Sequence, residues 1–482
     1  MLFNSLEFLL FFPIVYILYW FVFNKNLRNQ NILIMVASYF FYGWWSWKFL
    51  SLLFISTLLD YLYGFGVASP NRKKARMFLW LSVVNNLGIL GVFKYYNFFA
   101  VEFQRAFEAI GIHTNPTLLN IALPVGISFY TFHGMSYVFD LYRKKREPVT
   151  NFIDYAVFVS FFPLLVAGPI ERADHLLPQV QRPRVFDYRQ SVDGCRLLLW
   201  GMFKKVVIAD TLAVVADNCF NDYTHLGAFP LIIGVLAFSF QIYGDFSGYS
   251  DIAIGTSKMF GFELLSNFKV PYFSRNIAEF WRRWHISLSS WFRDYLYIPL
   301  GGSKGGKWMS VRNVFIIFLV SGFWHGASWN FIIWGFIHAC CFLPLLLADR
   351  NRAYVSEVVA QNRMLPNMKE LMQMIATFGI VCLAWIFFRA PDISTSVGYI
   401  QRIVQDAIHH PSQFLKMPVG AKTLLMYSLP LLFIDWKIRR DTRDVVYFKN
   451  KIVVNIILFI TIYFLLQQIV LKENTSFIYF QF

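Results

Sequence analysis

NVFIIFLVSGFWHGASWNFIIWGFIHACCFLPLLLA, residues 313–348, runs for 36 residues without an Asp, Glu, Lys or Arg. As one helix it would reach about 54 Å, well beyond the roughly 30 Å hydrocarbon core of a bilayer. The stretch is therefore expected to fold as a helical hairpin or a broken helix, with the break between Gly326 and Asn330. His325 stands beside that break. An ionisable ring in such apolar surroundings is expensive to place, so its presence calls for a reason.

Similar apolar runs recur at about 6–23, 31–46, 48–67, 77–99, 119–140, 153–170, 196–218, 228–246, 371–388, 423–435 and 451–471. Hydrophobic residues make up 57% of the 482, and charged ones only 15%, against roughly 25% in soluble domains. The composition predicts an all-α polytopic membrane protein forming one domain over 1–482. Residues 1–23 lack a basic lead-in and a small-residue cleavage site, and read as a retained first span.

The net charge of +16 would suggest nucleic acid in a soluble protein. Here the cations cluster between apolar runs, as in RKKAR (72–76), RKKR (143–146) and KIRRDTRDVVYFKNK (437–451). That is the pattern of cytoplasmic anchors under the positive-inside rule, and nucleic-acid binding is not expected. Loop 100–118 and tail 472–482 are poorer in basic residues and read as outside. One segment resists the alternation. Residues 153–170 lead into a loop bearing Arg172, Arg182, Arg184 and Arg189, whose charge argues for the inside. A re-entrant segment turning at Phe162–Pro163 or Gly168–Pro169 removes the conflict, and such backbone is tolerated only when buried in protein or lining a cavity.

Residues 250–312 are basic and aromatic, with no clean span. Phe280, Trp284, Leu288, Trp291 and Tyr295 recur at a helical period, beside a second stripe of Arg282, His285, Ser289 and Arg293. An amphipathic helix at the membrane interface or capping a cavity fits.

Two histidines are candidates for acid–base chemistry, since imidazole exchanges protons near neutrality. His325 reads either as a general base in a pocket walled by Trp324 and Trp329, or as a polar residue gluing helices. His285 reads either as a second proton-handling or orienting group, or as part of a wet basic face; neighbouring cations would favour its neutral form. Arg275, Arg282, Arg283, Arg293, Lys304, Lys307 and Arg312 offer contact with anionic lipid headgroups or a docking surface for a phosphate-bearing donor. GGSKGGK (301–307) could add backbone amides to it. Asp245 and Asp251 read as partners of nearby arginines, as a cap at Ser247–Gly248, or as a relay. Lys204 and Lys205 are expected to snorkel to the cytoplasmic face. His133 and Glu171 raise the same question of packing against chemistry. Cys195, Cys219, Cys340, Cys341 and Cys382 form no CxxC or zinc pattern, so neither a disulfide framework nor a metal site is expected.

FWRRWHISLSSWFRDYLYIPLGG (280–302) and SGFWHG (321–326) resemble the two histidine-bearing motifs of the membrane-bound O-acyltransferase family, most strongly its bacterial alginate O-acetylase branch. LPVGISFYTFHGMSYVFD (123–140), FFPLLVAGPIERADHLLPQ (161–179), FSFQIYGDFSGYSDIAIG (238–255) and the terminal FIYFQF extend the likeness over nearly the whole chain.

The resemblance implies catalytic roles for His325 and His285; Trp284, Arg282, Arg283, Arg293, Trp324 and Asp245 are the candidates for contact with substrate. It implies about 11 transmembrane helices, with re-entrant and interfacial helices around a central funnel. It further implies acyl transfer from a cytoplasmic thioester, acetyl-coenzyme A, to a hydroxyl of a polysaccharide. No permanently bound cofactor is implied. The setting would be the bacterial inner membrane, with lipid contacts and a periplasmic acetyltransferase partner. D-alanyl transfer to teichoic acid, a proton-coupled transporter or flippase, and an export scaffold remain as rival readings.

Overall fold

An apolar chain in lipid must satisfy its own backbone hydrogen bonds, which leaves helices as the simplest solution. The computed structural model describes residues 1–355, 357–415, 417–418, 420–441, 451–471 and 477, and these contain helices and no strand. Most of 437–451 and of the tail 472–482, including all of FIYFQF but Phe477, lies outside the described residues.

Among the described residues five helices are long and apolar enough to cross a membrane: Trp47–Val67, Arg72–Ala109, Ala228–Met259, Trp329–Leu347 and Met368–Arg389. Leu6–Val22 and Ile452–Gln467 are shorter apolar helices. Several of the other expected spans take a different form. Residues 112–124 have no regular structure, and the helix that follows, Ile127–Tyr142, is buried nearly all round. The run 196–218 divides into the end of Tyr188–Met202, a π-helix at Phe203–Ala209 and the start of Asp210–Asn221.

The chain forms two compact units, Met1–Cys195 with Ala253–Leu265, and Arg196–Ile252 with Ser266–Phe482. In the first, Trp47–Val67 and Arg72–Leu90 are joined by a buried polar cluster. Asp60 accepts from Ser82 Oγ at 2.6 Å and from Asn86 Nδ2 at 2.9 Å, the kind of hydrogen bonding that glues membrane helices. Asn71 caps the second of these helices by accepting from Lys73 and Lys74 backbone N–H groups.

Helix Phe152–Ser160 stops before a buried non-helical run, and helix Ala173–Val180 follows it. Phe162 N–H donates to Ser38 Oγ at 3.0 Å, so the freed backbone finds a side-chain partner. Glu171 closes this run: its carboxylate accepts from Leu265 N–H at 2.6 Å and lies 2.7 Å from His175 Nδ1. Its own N–H donates to His133 Nε2 at 3.1 Å. His133 and Glu171 thus act together as a structural clip.

In the second unit, Lys307–His325 and Trp329–Leu347 pack side by side through a turn at 326–328. A Cβ on Gly322 would run into the Phe331 carbonyl, and one on Gly335 into that of Phe318. Small residues here let the two backbones approach closely.

Candidate active site

Periodicity across Phe280–Tyr295 predicts one amphipathic helix, but the structure breaks it at the histidine. Helix Ile277–Arg283 ends at Trp284, and helix Ile286–Phe292 begins after His285, whose backbone is left-handed at φ 44°. A non-glycine residue in that region is uncommon and strained. The break is held from elsewhere in the chain. Ile286 N–H donates to the Asn267 carbonyl at 3.0 Å, Lys269 N–H to the Arg283 carbonyl at 3.0 Å, and Ser287 Oγ to Asn267 Oδ1 at 2.5 Å. Val270, at φ 43°, adds a second left-handed residue to this clamp.

The consequence is that His285 points inward. It is fully buried and stands edge-on to Phe246 at 4.6 Å. Neither of its ring nitrogens has a hydrogen-bond partner among the described residues. It lies outside every candidate span, and burial pushes its pKa down to about 3. The wet-face reading is therefore wrong, and desolvation rather than neighbouring cations keeps this ring neutral.

His325 is the last residue of Lys307–His325 and is also buried. Trp324 at 4.9 Å, Trp334 at 5.1 Å and Phe388 at 5.4 Å pack around its ring, drawn from three helices. Trp329, expected as a wall, is instead 47% exposed at the start of the next helix. The two imidazoles lie 6.5 Å apart with their planes tilted by 54°, and Trp324 lies 6.1 Å from His285.

A cavity of about 870 Å³ lies beside the turn that carries His285, lined by Trp281, Ile286, Ser289 and Tyr243 among others. Lys204, Lys269, Arg282, Arg283, Arg293, Arg352, Arg439 and Arg440 reach it, against Asp251, Glu357, Asp435 and Asp441. The surplus of positive charge suits an anionic ligand. A second pocket of about 290 Å³ shares Trp281, Arg293 and Arg352 with it and is mainly apolar. Neither histidine is among the residues lining either space; Ile286, next to His285, is.

The other residues picked from the sequence separate. Arg282, Arg283 and Arg293 line the large cavity. Arg282 also donates to the Asn351 and Ala353 carbonyls, Arg283 pairs with Glu279, and Arg293 with Asp294. Arg275 leaves the expected cationic face: it is buried, bonded to Glu279 and stacked 3.7 Å over Tyr354. Trp284 and Trp324 are buried in the aromatic packing. Trp284 stacks on Phe280 at 5.5 Å and meets Trp385 at 5.2 Å.

Among the described residues Asp245 and Asp251 pair with lysines, and helix Ala228–Met259 runs unbroken through Ser247–Gly248. Lys204 and Lys205 do not snorkel. Both are buried on the π-helix, where Lys204 is 2.7 Å from Asp251 and Lys205 is 2.8 Å from both Asp210 and Asp245. A charge far from water has to be paired, and these carboxylates supply the partners. Sequence reading passed over His338, fully buried one turn beyond Trp334. Its helical spacing from Trp334 was the available signal.

Comparison with known proteins gives the family. The chain is 41% identical to a probable alginate O-acetylase of Pseudomonas aeruginosa over 401 residues, 82% of this chain and 73% of that protein. It is 36% identical to a peptidoglycan O-acetyltransferase of Helicobacter pylori over 435 residues, 84% of this chain and 80% of the relative. A teichoic acid D-alanyltransferase of Bacillus subtilis is 28% identical over 290 residues, 56% of this chain and 69% of the relative. The model of the membrane-bound O-acyltransferase family matches residues 124–384, a stretch containing both histidines. More than half of the chain carries that match, and the protein belongs to the membrane-bound O-acyltransferase family as a multi-pass membrane acyltransferase.

Proposed function

We propose that the protein transfers an acetyl group from acetyl-coenzyme A to a hydroxyl of an exopolysaccharide or cell-wall glycan, in the bacterial inner membrane. The observation that carries this reading is the pair of buried imidazoles 6.5 Å apart, with a cation-rich cavity reaching Ile286 next to His285. The names of the relatives at 41% and 36% identity support acetyl as the group and a glycan as the acceptor. The D-alanyl-transferring relative is less similar and covers less of the chain, so D-alanine is the weaker alternative.

In this mechanism the donor's phosphates rest against Arg283, Arg293 and Arg352, and its thioester reaches toward the histidines. His325 takes the proton of the acceptor hydroxyl as that oxygen attacks the thioester carbonyl. The C–S bond breaks, an O-acetyl ester forms, and the thiolate leaves to be protonated. His285, neutral and with both nitrogens unpartnered among the described residues, hydrogen-bonds a reactant and orients it. Aromatic packing around both rings excludes water that would otherwise hydrolyse the thioester. A thioester is already activated, so the proposed step asks for no bound cofactor. The finer architecture belongs to the same reading: about 11 spans around a funnel open to the cytoplasmic donor, with a periplasmic acetyltransferase as a partner.

Purified protein in nanodiscs, given radiolabelled acetyl-coenzyme A and a glycan oligomer, tests it. His325→Ala should insert normally and lose about 10²–10⁴ in transfer rate. Near-normal turnover in that variant removes His325 from the mechanism. Wild-type protein that transfers D-alanine from a carrier thioester and leaves acetyl-coenzyme A untouched overturns the choice of donor.

A further inference from the structure

Trp281 is one of the residues that line both the large cavity and the apolar pocket beside it. Its indole ring has a polar anchor: Nε1–H donates to Nδ1 of the fully buried His338 at 3.3 Å. An indole nitrogen can only donate. Nδ1 of His338 must therefore carry a lone pair, the ring must be neutral, and its proton must sit on Nε2. That second nitrogen has no partner among the described residues. A leucine would occupy similar space without a polar atom to desolvate, so packing alone gives no reason for a histidine here. The bond to Trp281 does.

The geometry assigns His338 as a positioning residue that fixes the Trp281 indole as the wall on which the donor lies. Trp334 stands between His338 and His325, 4.9 Å from one ring and 5.1 Å from the other, so the same helix carries the anchor and one side of the His325 enclosure. His338 does not touch the reacting atoms; it acts through Trp281. This assignment rests on the reading of the large cavity as the donor site.

The test compares His338→Asn, whose side-chain oxygen can replace Nδ1 as acceptor, with His338→Leu, Trp281→Phe and the double variant, all in nanodiscs. Acetyl-coenzyme A dependence is measured together with the ¹⁹F spectrum of 5-fluorotryptophan-labelled protein, the Trp281 signal being identified by its loss in Trp281→Phe. His338→Leu and Trp281→Phe should each raise KM for the donor about five- to tenfold, the worth of one lost hydrogen bond, with kcat little changed. The double variant should be no worse than either single one. His338→Asn should restore KM and the wild-type ¹⁹F position, whereas His338→Leu should shift that signal. An unmoved signal in His338→Leu, or additive effects in the double variant, overturns the role of His338. A shifted signal with an unmoved KM in Trp281→Phe overturns the cavity as the donor site, and donor positioning with it.

Discussion

The rings of His285 and His325 lie 6.5 Å apart, centroid to centroid, although 40 residues separate them in the chain. Each stands where a helix stops: His325 closes Lys307–His325, and His285 opens Ile286–Phe292 from a left-handed backbone. Residues at such interruptions are freed from the helical repeat and can be aimed at one another. In the proposed mechanism His325 takes the proton, while His285, held neutral by burial, orients a reactant.

The backbone of His285 separates its two replacements. Asn tolerates the left-handed region far better than Ala does, and it keeps hydrogen-bonding atoms near those of the imidazole. His285→Asn should therefore retain transfer within about tenfold, the worth of one hydrogen bond, while His285→Ala should lose both more stability and more activity. Thermal unfolding in detergent and the radiolabel assay check the ranking. Equal loss in both variants would mean that the basic nitrogen itself is needed.

Stability should fall with acidification through this same ring. Its folded pKa of about 3 lies below the ordinary value near 6.5. Between those values the unfolded chain binds a proton that the folded one refuses, so stability rises with pH there and is lost as pH drops below about 6.5. The slope from one such group approaches about 1.4 kcal/mol per pH unit. Unfolding midpoints from pH 8 to pH 4.5 should show this decline, and His285→Asn should lessen its slope while buried His133 keeps a contribution of the same sign.

Lys205 sits between Asp210 and Asp245, 2.8 Å from each. Lys205→Met leaves two buried carboxylates without their shared cation and should cost about 3–5 kcal/mol. Asp245→Asn leaves the Lys205–Asp210 pair intact and should cost distinctly less. Denaturation of the two variants in the same detergent decides it; comparable losses would mean that the carboxylates are held by other groups.

Arg293 and Arg352 line both the large cavity and the apolar pocket. If they receive the donor's phosphates, Arg293→Gln and Arg352→Gln should raise KM for acetyl-coenzyme A with kcat little changed. The difference from wild type should shrink at high salt, where exposed charges are screened. A KM that is unmoved at low salt would place the phosphates elsewhere.

The helical class and the family were both legible in the residues: long apolar runs leave lipid-embedded backbone few options, and the two histidine motifs are specific. The spans were less legible. Apolar content alone marks 119–140 and 196–218 as crossings, yet the first begins in irregular chain and the second holds two ion-paired lysines on a π-helix. A buried protein helix and a lipid-facing one share one composition, and only the neighbours distinguish them.

What the sequence determined by itself was local: helical propensity, the uncharged run around His325, and the residue types available for chemistry. The tertiary structure alone decided which of these meet. Unbroken periodicity from Phe280 to Tyr295 gave no sign that Asn267, 18 residues before His285, would clamp the chain into a turn there and send the ring inward. Nor did any local pattern join Lys205 to Asp245, or Trp281 to His338. Burial and pairing depend on contacts between residues distant in the chain, so a side chain's charge state and direction are set only once the helices have packed.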